Sequence, residues 1–324
     1  MITVNNSILA VDYYVELEPY LDRFNQCRFR DNKLQSCSPF REDRKPSFAV
    51  NLENGTWIDS GAVGEYHKGH FITLLSFLRE ESAEDTCDYL INIYSPLKLD
   101  VSELKLDMSF LNEEVETELK IFTSEELKQY AYRHSYLESR GIPDRIQKLF
   151  RVGYDPFSGA AAMCWTNSDG QVVNIKFRSV SSKKFWYADG QRIKDHLYGY
   201  SVFKQVSADV LAITESEIDC MRLWAEGIPA VSLGSAYLSV NQAKYIFNCS
   251  IEELVIATDN DSAGERCAKQ IEETFVGTFN VTRFNFEETD AKDISDLEST
   301  QIISGMANRK PCKFRLDFGS EKTI

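Results

Sequence analysis

The sequence predicts a chain of mixed class, α/β toward its C-terminal end and α+β before it. Three observations carry this. From Val210 onward, short apolar runs alternate with helical stretches, the pattern of a parallel sheet covered on both faces. Between Ala161 and Ala188, strand-like runs follow one another with no helix between them. The first ~95 residues read as a separate small unit of brief strands and one apolar helix.

Within that N-terminal unit (1–96), Tyr13–Phe24 has helical character, Ser47–Leu52 and Gly55–Asp59 read as strands, and Phe71–Leu78 as a buried helix. Residues 97–125, DVSELKLDMSFLNEEVETELK and its flanks, turn to Lys, Asp and Glu and are expected to be a partly helical linker. A second unit spans 126–207. Its phrase YLESRGIPDRIQKLFRVGYDP (136–156) places Gly141 where a helix stops and Pro143 where the next begins. Ile142, Ile146, Leu149 and Phe150 then recur at helical spacing, and strands follow at Ala161–Thr166, Gln171–Ser179 and Lys184–Ala188.

The third unit, 208–300, is the most regular. Strands are expected at Val210–Thr214, Pro229–Leu233, Leu254–Thr258 and Val281–Phe286. Helices fall between them at Glu217–Glu226, near Asn241–Phe247 and at Ser262–Thr274. Residues 301–324 are left as a tail.

Composition narrows the classes of function. Of 324 residues, 43% are hydrophobic and 27% charged, enough to bury a core. No apolar run approaches the ~20 residues that span a bilayer, and the first ten residues lack a positive stretch before an apolar one, so neither membrane nor secretion is expected. The eight cysteines are scattered with no Cys-x-x-Cys pair, which fits a reducing, cytoplasmic setting. Net charge is −14, unfavourable for general nucleic-acid binding. The charge is uneven, however. Lys176–Lys194 holds six bases against one acid, Arg23–Lys45 seven bases against three, and Glu252–Glu298 thirteen acids against four bases. Such runs fit plain solvated faces. Together they also fit a protein that holds a polyanion with one part and divalent metal with another.

The acids lie where chemistry is expected in a parallel sheet, beyond the carboxyl ends of the strands. Glu215 follows the first strand, with Asp219 four residues on. Asp259 and Asp261 follow the third, and Asp293 and Asp296 the fourth. In Asp-x-Asp, a period of two along extended chain turns both carboxylates to one side. Clustered carboxylates without nearby His or Cys suit Mg²⁺ or Mn²⁺ and not zinc.

ITESEID, ATDNDSAG and KDISDL together resemble the Toprim domain of bacterial primases, topoisomerases and some nucleases. The resemblance implies that Glu215, Asp259 and Asp261 are catalytic and hold one to three metal ions, with Asp293 as a further ligand. Ser216 stands where that family has glycine, a change the fold accepts if φ is negative there. Upstream, YLESRGIPDRIQKLFRVGYDP resembles the opening of the catalytic core of bacterial-type (DnaG-like) primases, phage types included. The basic stretch IKFRSVSSKKFWYADGQRIKDHLYGY resembles their template and nucleotide groove. This implies nucleic-acid or nucleotide contacts from Lys176, Arg178, Lys183, Lys184 and Lys194. Phe177, Phe185, Trp186 and Tyr187 fit either stacking on unpaired bases or the core of a strand.

The N-terminal phrase from Cys37 to Leu78 resembles the primase zinc-binding domain, but only Cys37 of its ligands is present. Arg41 stands near the expected histidine, and Asp59, Ser60, Gly61 and Ala62 replace the closing cysteines. One thiolate does not make a four-coordinate site, so the expectation is a ribbon without zinc, packed on Phe48, Val50, Trp57 and Phe71. Arg41, Arg44 and Lys45 are expected to contact phosphate.

The leading expectation is a DNA primase, a nucleotidyltransferase that builds RNA primers from ribonucleoside triphosphates on a single-stranded DNA template. The resemblance also implies a phage or mobile-element setting and a replicative helicase as a separate partner. Two alternatives stand beside it: a Toprim metal-dependent nuclease, and a non-catalytic single-strand DNA-binding module.

Overall fold

The structure, a computed structural model, describes residues 2–4, 7–94, 119–287 and 289–312. A small antiparallel hairpin, Ile2–Val4 with Ser7–Leu9, precedes three larger sheets.

The N-terminal sheet is antiparallel throughout, in the order Arg28–Arg30, Lys33–Ser36, Phe48–Asn51, Trp57–Asp59, Lys68–Gly69. Its first hairpin turns on Asp31 and Asn32, both at positive φ (47° and 55°). A two-residue turn of this hand needs that conformation, and Asp and Asn tolerate it. Alternate residues of the next strands point inward, and Phe48, Val50, Trp57 and Phe71 are buried together as expected. The helices Phe71–Arg79 and Ala83–Tyr94 cover the sheet.

The helix expected over Tyr13–Phe24 is instead an α-helix at Tyr13–Leu17 followed by a 3-10 stretch at Glu18–Arg23. Pro19 explains the break. It has no N–H to bond back to the Val15 carbonyl, and that carbonyl accepts a 2.8 Å hydrogen bond from Arg266 of the C-terminal unit.

Most of the expected linker, up to residue 118, lies outside the described residues. Its end runs beside the middle sheet, where the Phe122 N–H bonds to the Val172 carbonyl at 2.8 Å. That sheet is antiparallel, ordered Phe185–Tyr187, Val172–Ser179, Ala160–Thr166, Gly153–Asp155.

The C-terminal sheet has four parallel strands in the order Ala230–Ser232, Val210–Thr214, Glu253–Ile256, Asn280–Arg283. Parallel neighbours need crossovers, supplied here by the helices Glu217–Ala225, Val240–Phe247 and Ser262–Phe275. The residues expected as a tail do not trail away. Ser299–Ala307 is a helix, and Lys310–Pro311 pairs antiparallel with Asn280–Arg283 as a fifth strand. On the other margin, Tyr198 and Ser232 exchange backbone hydrogen bonds at 3.1 and 3.0 Å.

Strand order fixes where a ligand sits. The chain leaves Val210–Thr214 for Ala230–Ser232 on one side, then returns to Glu253–Ile256 on the other. Loops diverge at the carboxyl ends of these two central strands and open a crevice between them. Glu215 directly follows the first strand and Asp259 lies just beyond the second.

Candidate active site

Glu215 is buried, and its Oε1 accepts the backbone N–H of Asp259 at 3.0 Å. Gly264 lets them come so close. A Cβ at that position would stand 1.9 Å from the Asp259 carbonyl oxygen and 2.9 Å from Glu215 Oε1. Asp261 caps the helix Ser262–Phe275, its Oδ1 accepting from Ala263 N–H (3.0 Å) and Gly264 N–H (2.9 Å). Its other oxygen faces Lys292 Nζ at 3.1 Å. Asp293 caps a turn in the same way, through the N–H of Asp296 (3.0 Å) and the hydroxyl of Ser295 (2.8 Å).

Asp219, placed at the same rim by the sequence but not among its expected metal ligands, joins this group. It lies in the first turn of the helix Glu217–Ala225, takes a 2.5 Å hydrogen bond from Ser216 Oγ, and accepts the Ser295 N–H at 2.8 Å. Its spacing of four from Glu215 was the available signal. Ser216, at φ −104°, meets the condition for replacing glycine and also caps the helix.

Glu215, Asp219, Asp259, Asp261 and Asp293 all line one cavity of about 330 Å³. Burial and the charge of Asp261 push the Glu215 carboxyl up to about 7. Burial and the Glu215 carboxylate push Asp259 well above the ordinary range, as burial and Asp293 do Asp219. Among the described residues, no three such groups close around a single point as a finished metal cage. The engaged oxygens explain this: Asp261 is held by two amides and a lysine, Glu215 by the Asp259 amide. The donor set nevertheless fits a hard divalent cation. Glu215, Asp219, Asp259 and Asp293 have no ion-pair partner among the described residues, and oxygen-only donors with uncompensated charge suit Mg²⁺ or Mn²⁺.

The bases divide in two. Lys176 is buried, its Nζ at 3.2 Å from Glu217 Oε2 and 3.3 Å from the Gly234 carbonyl. Lys194 is buried against Ser235 Oγ (2.5 Å) and the Tyr237 carbonyl (2.8 Å), and burial lowers its pKa. Arg178 is bound to Glu80 at 2.7 Å. These three brace the fold, although Lys176 and Arg178 also reach the cavity wall. Lys183 and Lys184 are exposed, and Lys183 lines the cavity with Arg140. The aromatics take the packing role: Phe177 is buried and stacks on Trp186 at 5.6 Å, and Phe185 stacks on Phe77 at 6.2 Å.

In the N-terminal unit, Arg41 reaches Asp43 (2.9 Å), Ser47 Oγ (2.8 Å) and Asp59 (3.2 Å), so its guanidinium ties the ribbon's loops together. Arg44 and Lys45 remain exposed. The unit also meets the acidic cavity. Tyr20, Arg23 and Glu80 line it, and Lys292 bridges Asp261 to Asp22. Nothing in the spacing of Arg23 or Glu80 signalled this, because it arises from docking between units.

Comparison with known proteins concerns the same region. Residues 212–297 match the family model Toprim_2, described as Toprim-like. The DNA primase of Borreliella burgdorferi is 25% identical over an alignment of 345 residues, which covers 88% of this chain and 65% of that protein. The chain therefore spans just under two thirds of that relative's length. Among solved structures, the zinc-binding and RNA polymerase domains of the Aquifex aeolicus primase align at 17% identity and a TM-score of 0.46, covering 94% of this chain and 84% of that one. The primase fragment of the bacteriophage T7 primase-helicase protein aligns at 18% identity and a TM-score of 0.48, covering 58% and 78%. All five cavity acids lie inside the matched span: residues 212–297 are similar to Toprim domains, in a chain similar to a bacterial DNA primase over most of its length.

Proposed function

We propose that this protein is a DNA primase that joins ribonucleoside triphosphates into short primers on a single-stranded DNA template. One observation carries the reading: a cluster of buried and half-buried acids at the switch point of a parallel sheet, in one cavity with Lys183 and Arg140. Similarity to a bacterial DNA primase supports it.

Glu215 and Asp259, with Asp219 and Asp293 beside them, are the residues that would hold Mg²⁺ or Mn²⁺. Such ions, when bound, supply positive charge against the oxygens that attack and leave during phosphoryl transfer. The chain's own residues do the positioning. The Glu215–Asp259 hydrogen bond sets the two acids in register, and the Asp261 cap fixes the start of the helix that follows. Lys183 and Arg140 orient the phosphates of the incoming nucleotide. Lys184, Arg44 and Lys45, all exposed, neutralise the template backbone.

The test is a priming assay on single-stranded templates of varied sequence, with Mn²⁺ and the four ribonucleotides, with and without a chelator. Chelator-sensitive, template-dependent RNA products are expected. Nicked fragments instead of products would make the protein a nuclease, and neither outcome would leave a DNA-binding module.

A further inference from the structure

Arg23 belongs to the N-terminal unit, yet it lines the cavity that holds Glu215, Asp259 and Asp261. Its ion pair with Glu80 is long, 3.6 Å from Nη1 to Oε1, beyond hydrogen-bond distance. The other Glu80 oxygen is taken by Arg178 at 2.7 Å. The Arg23 guanidinium, which also lies 6.0 Å from the Tyr20 ring centroid, therefore donates no hydrogen bond among the described residues, although it carries five N–H donors. Burial works against its charge, while Glu80, Tyr20, Asp261 and Asp259 outweigh burial and keep it protonated. A charged planar fork with open donors, aimed into a cavity, is the group suited to bind an oxyanion in bidentate fashion.

Glu80 supports the assignment. It ends the helix Phe71–Arg79 in the left-handed conformation, φ 55° and ψ 38°, where glycine is the favoured residue. A glutamate there carries a backbone cost that glycine would not. Its side chain gathers one arginine from each of two units at the edge of the cavity.

We propose that Arg23, steadied by Glu80, grips the polyphosphate of the incoming nucleotide, so that the N-terminal unit completes the pocket. This rests on the primase reading above. Arg23, Lys183 and Arg140 line the same cavity as the carboxylates. A triphosphate seated there would present its negative oxygens to these cations.

The experiment is an equilibrium titration of the whole chain with ATP, ADP, AMP and adenosine in the presence of Mn²⁺. Wild type is compared with Arg23→Ala and Arg23→Lys, and Mn²⁺ affinity and melting temperature are recorded for each. Wild type should prefer ATP to AMP. Arg23→Ala should weaken ATP about tenfold or more, the worth of a charge-assisted bidentate contact, and leave AMP, adenosine and Mn²⁺ binding unchanged. Arg23→Lys should restore part of the loss. Equal ATP affinity in wild type and Arg23→Ala, with the preference for ATP intact, overturns the Arg23 subsite alone. A wild-type chain that does not distinguish ATP from AMP overturns the subsite together with the polymerase reading. Should Arg23→Ala melt early, Arg23→Lys decides: at wild-type stability, an ATP affinity below that of wild type with AMP and adenosine binding unchanged supports a bound phosphate, and a uniform loss across all four ligands or an undiminished ATP affinity overturns the bidentate grip.

Discussion

The Glu215 carboxylate accepts the backbone N–H of Asp259 at 3.0 Å, so the acid just past one central strand fixes the backbone of the acid just past its neighbour. Replacing Asp259 by alanine keeps that amide and removes only the carboxylate. Primer synthesis should fall by about 100-fold or more, the several kcal/mol that metal-held charge supplies to phosphoryl transfer. Single-strand DNA binding should stay within about twofold by fluorescence anisotropy. Undiminished synthesis by Asp259→Ala would end the assignment of this acid.

Gly264 has no room for a side chain. A methyl group at that position meets the Asp259 carbonyl oxygen at 1.9 Å, and backbone cannot yield as a flexible side chain does. Gly264→Ala should cost about 1–3 kcal/mol in denaturant unfolding and weaken Mn²⁺ binding by displacing the Asp259 loop. A variant with wild-type stability and Mn²⁺ affinity would contradict the close approach.

The metal-free protein should respond to pH through Glu215. Burial and Asp261 raise its carboxyl from the ordinary 4.5 to about 7. Because the folded pKa exceeds the unfolded one, this residue's contribution is fully present below pH 4.5 and is lost as pH rises through 7. The loss is on the order of a few kcal/mol. Comparing melting temperatures of wild type and Glu215→Gln between pH 5 and 8 isolates it: the variant should be flatter. Mn²⁺ should raise the wild-type melting temperature more at pH 8 than at pH 5.5, and a pH-independent increment would refute the coupling.

Asp59 is fully buried and accepts from Arg41, from Ser47 Oγ at 2.9 Å and from the Gly61 N–H at 2.9 Å. Burial opposes its charge, but hydrogen bonds from Ser38, Arg41 and Gly61 prevail and hold its pKa below the ordinary value. Its contribution is therefore present at neutral pH and lost as acid is added. Arg41 is 34% exposed, so solvent weakens the pair, and Asp59→Asn should cost about 2 kcal/mol. The melting temperature of the N-terminal unit should not change with a zinc chelator. A chelator-induced drop would mean that metal is part of the ribbon.

Exposed and buried lysines should separate in a salt titration. Lys184→Ala with Lys45→Ala should weaken single-stranded DNA binding and reduce the salt slope by ~0.7 for each phosphate that is no longer neutralised. Lys194→Met should lower stability and leave that slope unchanged, since its ammonium is spent on Ser235 and Tyr237. An altered slope for Lys194→Met would reverse the assignment.

The acids after each strand were legible because strand and helix periods, and the capping aspartates, are local signals: Asp261 and Asp293 each precede the turn they cap. The fates of Lys176 and Lys194 were not. Both sit in a stretch whose charge reads as a surface, and only the packing of the middle sheet against the C-terminal unit turns them inward toward Glu217 and Ser235. Asp219 was visible as a residue but not as a participant, since its partner Ser295 lies far along the chain. Pro19 is a readable helix breaker, set among apolar residues whose spacing reads as a single helix. Arg23 and Glu80 depend on how two units dock, for which no periodicity exists.

The C-terminal sheet presents little at either flank on which another molecule could extend it. One flank ends in two residues, the second a proline with no amide hydrogen to offer. The other is engaged by Tyr198 through paired backbone bonds. Open strand margins are where chains zip together into aggregates. With both blunted, the protein is shielded along these margins while the acid-lined crevice stays accessible at the strand tips.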